Sequence, residues 1–259
     1  MSDVYSLHAG SSPLLISVPH DGWRIPTEIV QYMSGAGRAI PDTDWHVSEL
    51  YGFARERGAS MLVANYSRYV VDLNRPADDA ALYSDQPASG LCPISTFAGA
   101  AIYLDPIDID HAARVESYWR PYHEQLARTL ALLRERHGYA LLWDAHSIAS
   151  HVPQLFAGEL PALNIGTWDG RSCAPSLAAA IASAARQSAY EVVLDGRFKG
   201  GYITRHYGDP DNNIHAVQLE LAQRTYMHET TLEFDRDKAA KLRATLAAML
   251  QAYEEAASR

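Results

Sequence analysis

Leu14-Leu15-Ile16-Ser17-Val18-Pro19-His20 and Leu141-Leu142-Trp143-Asp144-Ala145-His146 are two short apolar runs that each end in a histidine. The first continues into Asp21-Gly22 and the second into Ser147. Apolar stretches of this length, bounded by Gly and Pro, have the pattern of strands buried in a parallel sheet. Open α/β sheets bind ligands just beyond the carboxyl ends of their strands. A histidine at each of two such ends is therefore placed for chemistry, and the pair points to one shared metal ion.

Helix-to-strand junctions recur along the chain. Arg55-Glu56-Arg57-Gly58 precedes Ser60-Met61-Leu62-Val63-Ala64, and Arg134-Glu135-Arg136-His137-Gly138 precedes the second apolar run. Basic residues suit the negative end of a helix dipole, and Gly supplies a left-handed cap before the next strand. The class expected is α/β, with a mixed, largely parallel central sheet and helices on both faces. Asp42-Thr43-Asp44 reads as a helix start ahead of Trp45, Leu50 and Phe53. Residues 108–137 read as one long helix that Pro121 kinks or divides, because proline lacks the amide donor. An alanine-rich helix at 175–188 leads into a strand at 191–194; 214–221 alternates as another strand, and 232–257 closes as an amphipathic helix.

Residues 76–106 are rich in Pro, Gly, Ser and Ala. Long excursions of this kind tend to be functional, and a lid is one role for it. No Gly/Ser or Pro-rich linker separates two halves, so one domain spanning 1–259 is expected. At 47% hydrophobic residues the chain can build a sizeable core. A formal net charge of −9 argues against a nucleic-acid partner, which would need a basic face. An anionic small substrate would then require local Arg or Lys. The two cysteines, Cys92 and Cys173, form no C-x-x-C pair and read as packing residues. The first residues lack a signal-peptide pattern and no apolar stretch reaches membrane-spanning length, so a soluble cytoplasmic protein is expected. Its oligomeric state is left open.

A catalytic zinc usually takes three protein ligands, commonly two His and a carboxylate, and keeps one position open. His20 and His146 are the histidine candidates; Asp44, Asp42, Asp21 and Asp144 all compete for the carboxylate, and His46-Val47-Ser48-Glu49 offers a rival His-x-x-Glu pair. In Ser67-Arg68-Tyr69-Val70-Val71-Asp72-Leu73-Asn74-Arg75-Pro76, Arg75 has the planar fork that clamps a carboxylate, Asn74 adds a neutral donor, and Arg68 suits a developing oxyanion. The competing reading makes this segment structural, with Asp72 paired to one of the arginines. From 195 to 208, four glycines lie among basic and aromatic residues, the pattern of a loop whose backbone approaches a ligand. Glu220 sits in an apolar strand, where burial would raise its pKa toward that of a general base. No Gly-x-Ser-x-Gly elbow accompanies Ser147.

Together the motifs SVPHDG (17–22), PDTDWHVSELY (41–51), ANYSRYVVDLNRP (64–76), LWDAHS (142–147), GRFKGGYITRHYG (196–208) and VQLELAQRTY (217–226) closely resemble the N-formylglutamate amidohydrolases of histidine breakdown. That family resembles a divergent branch of the zinc carboxypeptidase and aspartoacylase fold. The resemblance implies zinc, or another divalent metal, held by His20, His146 and Asp44, with Asp42 as the alternative. By comparison with the carboxypeptidase pattern it implies Glu220 as catalytic base, Arg68 as oxyanion donor and Asn74-Arg75 as carboxylate anchor. The sequence departs from that pattern at one point: the residue three after His20 is Trp23 rather than a glutamate. The expected reaction is hydrolysis of N-formyl-L-glutamate to formate and glutamate. A small dicarboxylate needs two cationic anchors, assigned to Arg75 with Asn74 and to Arg205 with Gly201 in the Gly-rich loop. An amidohydrolase for another N-acyl amino acid and a non-enzymatic metal or carboxylate binder are the alternatives.

Overall fold

The computed structural model describes residues 4–81 and 89–258. Seven strands form the main sheet: β1 (Tyr5–His8), β2 (Leu14–Val18), β3 (Ser60–Ala64), β4 (Ala140–Ile148), β5 (Leu163–Gly166), β6 (Val192–Leu194) and β7 (Ile214–Ala222), in the order β1-β3-β2-β4-β7-β5-β6. β3, β2, β4 and β7 run parallel, β1 is antiparallel to β3, and β5 pairs antiparallel with β7 and parallel with β6. The mixed, largely parallel α/β sheet is thus as expected.

Side chains alternate between the two faces of each strand, and both faces are covered. Leu14, Ile16, Leu141, Trp143, Val217 and Leu219 pack with Ile181 and Leu246 of the helices Pro175–Arg186 and Arg236–Ala257. Leu15, Leu142 and Ala216 face the other way, onto Tyr122, Leu126 and Leu130 of the helix Arg120–His137. Along this second face the side chains turn polar toward the carboxyl ends of the strands, at Ser17, Asp144, His146, Gln218 and Glu220, all buried. The register pairs Asp144 with Gln218 and His146 with Glu220.

Gly58 and Gly138 both take positive φ, 87° and 84°, at the two helix-to-strand junctions. The helix expected over 108–137 runs from His111 to His137, and Pro121 does not break it: His111–Arg114 passes through a π turn at Val115–Trp119 into Arg120–His137, and Pro121, which has no amide to donate, is the second residue of that last segment. Other boundaries differ. β4 runs through His146 instead of ending there. Asp42-Thr43-Asp44 caps nothing: the helix Val47–Leu50 starts at His46, in left-handed conformation. The last helix begins at Arg236, capped by Asp235, and residues Glu233–Phe234 pair with Met227–His228 as a small second ribbon. Strands β1 and β5 had no sequence signal, being four residues each. Of the excursion 76–106, for which a lid is one role left open, residues 82–88 lie outside the described residues; its flanks are pinned by Leu91 N on Asp79 Oδ1 (2.6 Å) and Ile102 N on Ile94 O (2.9 Å). Cys92 and Cys173 are buried free thiols.

Candidate metal centre and active site

His20 lies two residues past β2, and Asp44 is brought to it by its own amide, which donates to His20 O at 3.0 Å. With His146 of β4 these three side chains place ligand atoms within 4.8 Å of one another, all buried. His146 Nδ1 is 3.0 Å and His20 Nδ1 3.7 Å from Asp44 Oδ2. The outward nitrogens are held by other side chains: His20 Nε2 lies 2.8 Å from Asp72 Oδ1, and His146 Nε2 lies 3.2 Å from Asp144 Oδ2 and 3.1 Å from Asn74 Nδ2. Carboxylates behind metal-binding imidazoles fix the tautomer that aims Nδ1 inward. His20 Nδ1 is buried without a hydrogen-bond partner. An orphaned imidazole nitrogen facing a second imidazole and a carboxylate fits a divalent cation, because that donor set is the one an open catalytic zinc site uses.

The other carboxylates are committed elsewhere. Asp42 accepts from Tyr69 Oη (2.5 Å) and Phe97 N (2.8 Å), and Asp21 accepts from Ser48 N (3.4 Å). Asp144 stands behind His146 and also accepts from Ser17 Oγ (3.2 Å) and Thr204 Oγ1 (3.3 Å). In the rival pair, His46 Nε2 lies 2.8 Å from Leu232 O, away from the cluster. Trp23 is 66% exposed. Burial opposes charge on Asp44, yet the imidazoles of His146 and His20 hold its carboxyl below the usual range. Burial likewise opposes charge on Asp72, but Arg68 and His20 hold it well below that range.

The cleft over this cluster is lined by Arg68, Asn74, Arg75, Gly201 and Glu220, together with Arg197, Phe198 and Ser147. Strand register sets Glu220 directly beside His146, and Gln218 Nε2 donates to Glu220 Oε2 at 3.2 Å. Burial, partly offset by His146, pushes the Glu220 carboxyl up to about 8. Arg68 pairs with Asp72 at 2.6 Å and lies 4.0 Å from Asp44 Oδ1, so the pairing weighed in the sequence is present in a residue that also lines the cleft. Its buried Nε has no hydrogen-bond partner. Arg75 is oriented by Asn74 O, Ser89 O and Ser89 Oγ.

Two expected roles change. Asn74, read as a donor to substrate, uses its amide on the protein: Nδ2 faces His146 and Oδ1 accepts from Ile203 N at 2.8 Å. Gly201 permits this approach, since a Cβ there would stand 2.2 Å from Asn74 Nδ2. Arg205 is not among the described residues lining the cleft; its Nε donates to Gly200 O at 2.8 Å and its guanidinium lies 5.8 Å from the Trp168 ring centroid. The Gly-rich loop does supply an arginine to the cleft, Arg197, which the sequence reading passed over. Gln218, two residues before Glu220 on the same strand face, was missed although the alternation carried that signal.

The family model described as N-formylglutamate amidohydrolase matches residues 12–227. The chain is 50% identical over 257 residues to an N-formylglutamate deformylase of Pseudomonas putida, covering 97% of this chain and 96% of the relative. It is likewise 50% identical over 256 residues to an N-formylglutamate deformylase of Pseudomonas aeruginosa, with 97% and 96% covered. A crystal structure of N-formylglutamate amidohydrolase from Ralstonia eutropha JMP134 superposes with a TM-score of 0.81 at 24% identity, over 96% of each chain, and shares the fold.

Proposed function

The chain belongs to the N-formylglutamate amidohydrolase family, and from that premise we propose that it hydrolyses N-formyl-L-glutamate to formate and L-glutamate. The observation that supports this most is the placing of Glu220 beside a buried His20, Asp44, His146 cluster at the carboxyl ends of parallel strands. In this reading the chain works as one catalytic domain. Zinc as the metal and the last step of histidine degradation as the setting are what the family resemblance implies, and the cytoplasm is the location proposed with them.

His20, Asp44 and His146 would hold the metal. A divalent cation bound there supplies Lewis-acid chemistry: it lowers the pKa of a water to about 7 and polarises the formyl carbonyl. Glu220 takes the proton from the attacking water as the new C–O bond forms. It then delivers that proton to the amine nitrogen as the C–N bond breaks. Arg68 donates to the oxyanion of the tetrahedral intermediate, an interaction worth roughly 3–4 kcal/mol on the scale of oxyanion-hole donors. Asp72 and Asp144, with Asn74, hold the two imidazoles in place, and Arg75 binds a substrate carboxylate.

A panel of N-formylglutamate, N-formylaspartate and N-acetylaspartate tests the assignment. The highest kcat/KM is expected for N-formylglutamate; a preference for N-acetylaspartate would make the enzyme an amidohydrolase of a different N-acyl amino acid.

A further inference from the structure

We propose that Arg197 reads the distal carboxylate of the substrate and so makes the site selective for a glutamate side chain; this rests on the deformylase reading above. N-formylglutamate carries two carboxylates, one beside the formamide and one at the end of two methylenes. Among the described residues the cleft is lined by three arginines, Arg68, Arg75 and Arg197. The strand order sets them apart. Arg68 and Arg75 follow β3, Arg197 follows β6, and the strands bearing or leading into His20, His146 and Glu220 lie between. The reacting centre is thus flanked by two cationic walls, the separation that the two ends of a dicarboxylate require.

The wall around Arg197 suits methylenes ending in a charge. Ile148, Leu155 and Phe198 line the cleft with it. Arg197 Nε donates to Leu155 O at 2.8 Å, and its guanidinium lies 5.4 Å from the Phe198 ring centroid. The loop carrying it is tied down at its start: Asp195 accepts from Thr167 N and Thr167 Oγ1, each at 2.6 Å, and its amide donates to Ile165 O at 2.7 Å. A planar fork held in this way loses little freedom on binding a carboxylate.

The test compares N-formylglutamate with N-formylglutamine, which has the same length but carries no distal charge. For Arg197→Gln, kcat/KM should fall about 100-fold on N-formylglutamate, mostly through KM, and far less on N-formylglutamine, the loss expected when a charge-assisted pair is removed. The selectivity ratio therefore collapses. Arg197→Lys, which keeps the charge without the fork, should restore part of the ratio and serves if the glutamine variant fails to fold. An unchanged ratio in either variant, or equal losses on both substrates, overturns the proposal. If the wild-type enzyme turns over neither compound, the deformylase reading falls and this assignment falls with it.

Discussion

His20 Nδ1 and His146 Nδ1 approach one carboxylate oxygen, and that oxygen belongs to Asp44. The two acidic residues of Asp42-Thr43-Asp44 could not be separated in the sequence, because both precede the same short helix and both could reach the same sheet edge. Tertiary contacts separate them, since the Tyr69 hydroxyl and the Phe97 amide occupy Asp42. Asp44→Asn should therefore lower bound divalent metal, read by elemental analysis after dialysis, while Asp42→Asn keeps it; the reverse pattern would reassign the ligand. Glu220→Gln should retain metal and lose about 100- to 10,000-fold in kcat, the range of a general base. It should also change stability in the metal-free protein. The folded carboxyl titrates near 8 against an ordinary 4.5, so the folded state holds the proton more tightly. The contribution of this carboxyl to wild-type stability is therefore full below 4.5 and is lost as pH rises from 4.5 through 8, by at most ~1.4 kcal/mol per pH unit. In thermal melts of the metal-free proteins, the stability of wild type relative to Glu220→Gln should fall across that window; a difference that stays constant with pH would mean that Glu220 is not the titrating group.

The elements that were legible in the sequence were those whose pattern is long or strongly punctuated. Parallel strands β2 and β4 announced themselves as largely apolar runs, and Pro121 marked the irregular turn that lies just before it. The six-residue helix Tyr202–Tyr207 lay hidden behind Gly200-Gly201, and β5 was too short to show a period. The role of Asp72-Leu73-Asn74 was only partly legible. In that stretch the first and third side chains reach His20 and His146, a pairing that depends on where two distant strands end. The helix after the π turn contributes a buried titratable group of its own. His123 stacks on Trp119 with ring centroids 3.7 Å apart and lies 2.9 Å from Leu73 O, and burial pushes it down to about 3. The unfolded chain takes up this proton near 6.5 and the folded one does not, so stability is lost as pH falls from 6.5 toward 3. The decline of Tm between those values should be shallower in His123→Gln than in wild type, whatever the offset at neutral pH. Identical slopes would show that His123 does not govern acid sensitivity.

At the scale of the whole molecule, a chain with a formal net charge of −9 gathers arginines around one cleft. This is how an acidic protein can attract a dianion, because the local field matters more than the sum. No helix among the described residues is long and apolar enough to cross a membrane. The parallel sheet was readable from the apolar stretches at the starts of β2 and β4, which are buried on both faces, and from the alternation of β7. The site was readable only in part, since His20 past the end of β2, Asp44 in the segment between β2 and β3, and His146 of β4 meet through topology. The most direct test of the whole arrangement is a zinc titration of metal-stripped protein with formate release from N-formylglutamate as the readout. Formate release should be absent at the start and return in proportion to added zinc, reaching its plateau at about one equivalent per chain. Metal-stripped protein that releases formate as fast as the untreated enzyme would contradict the account.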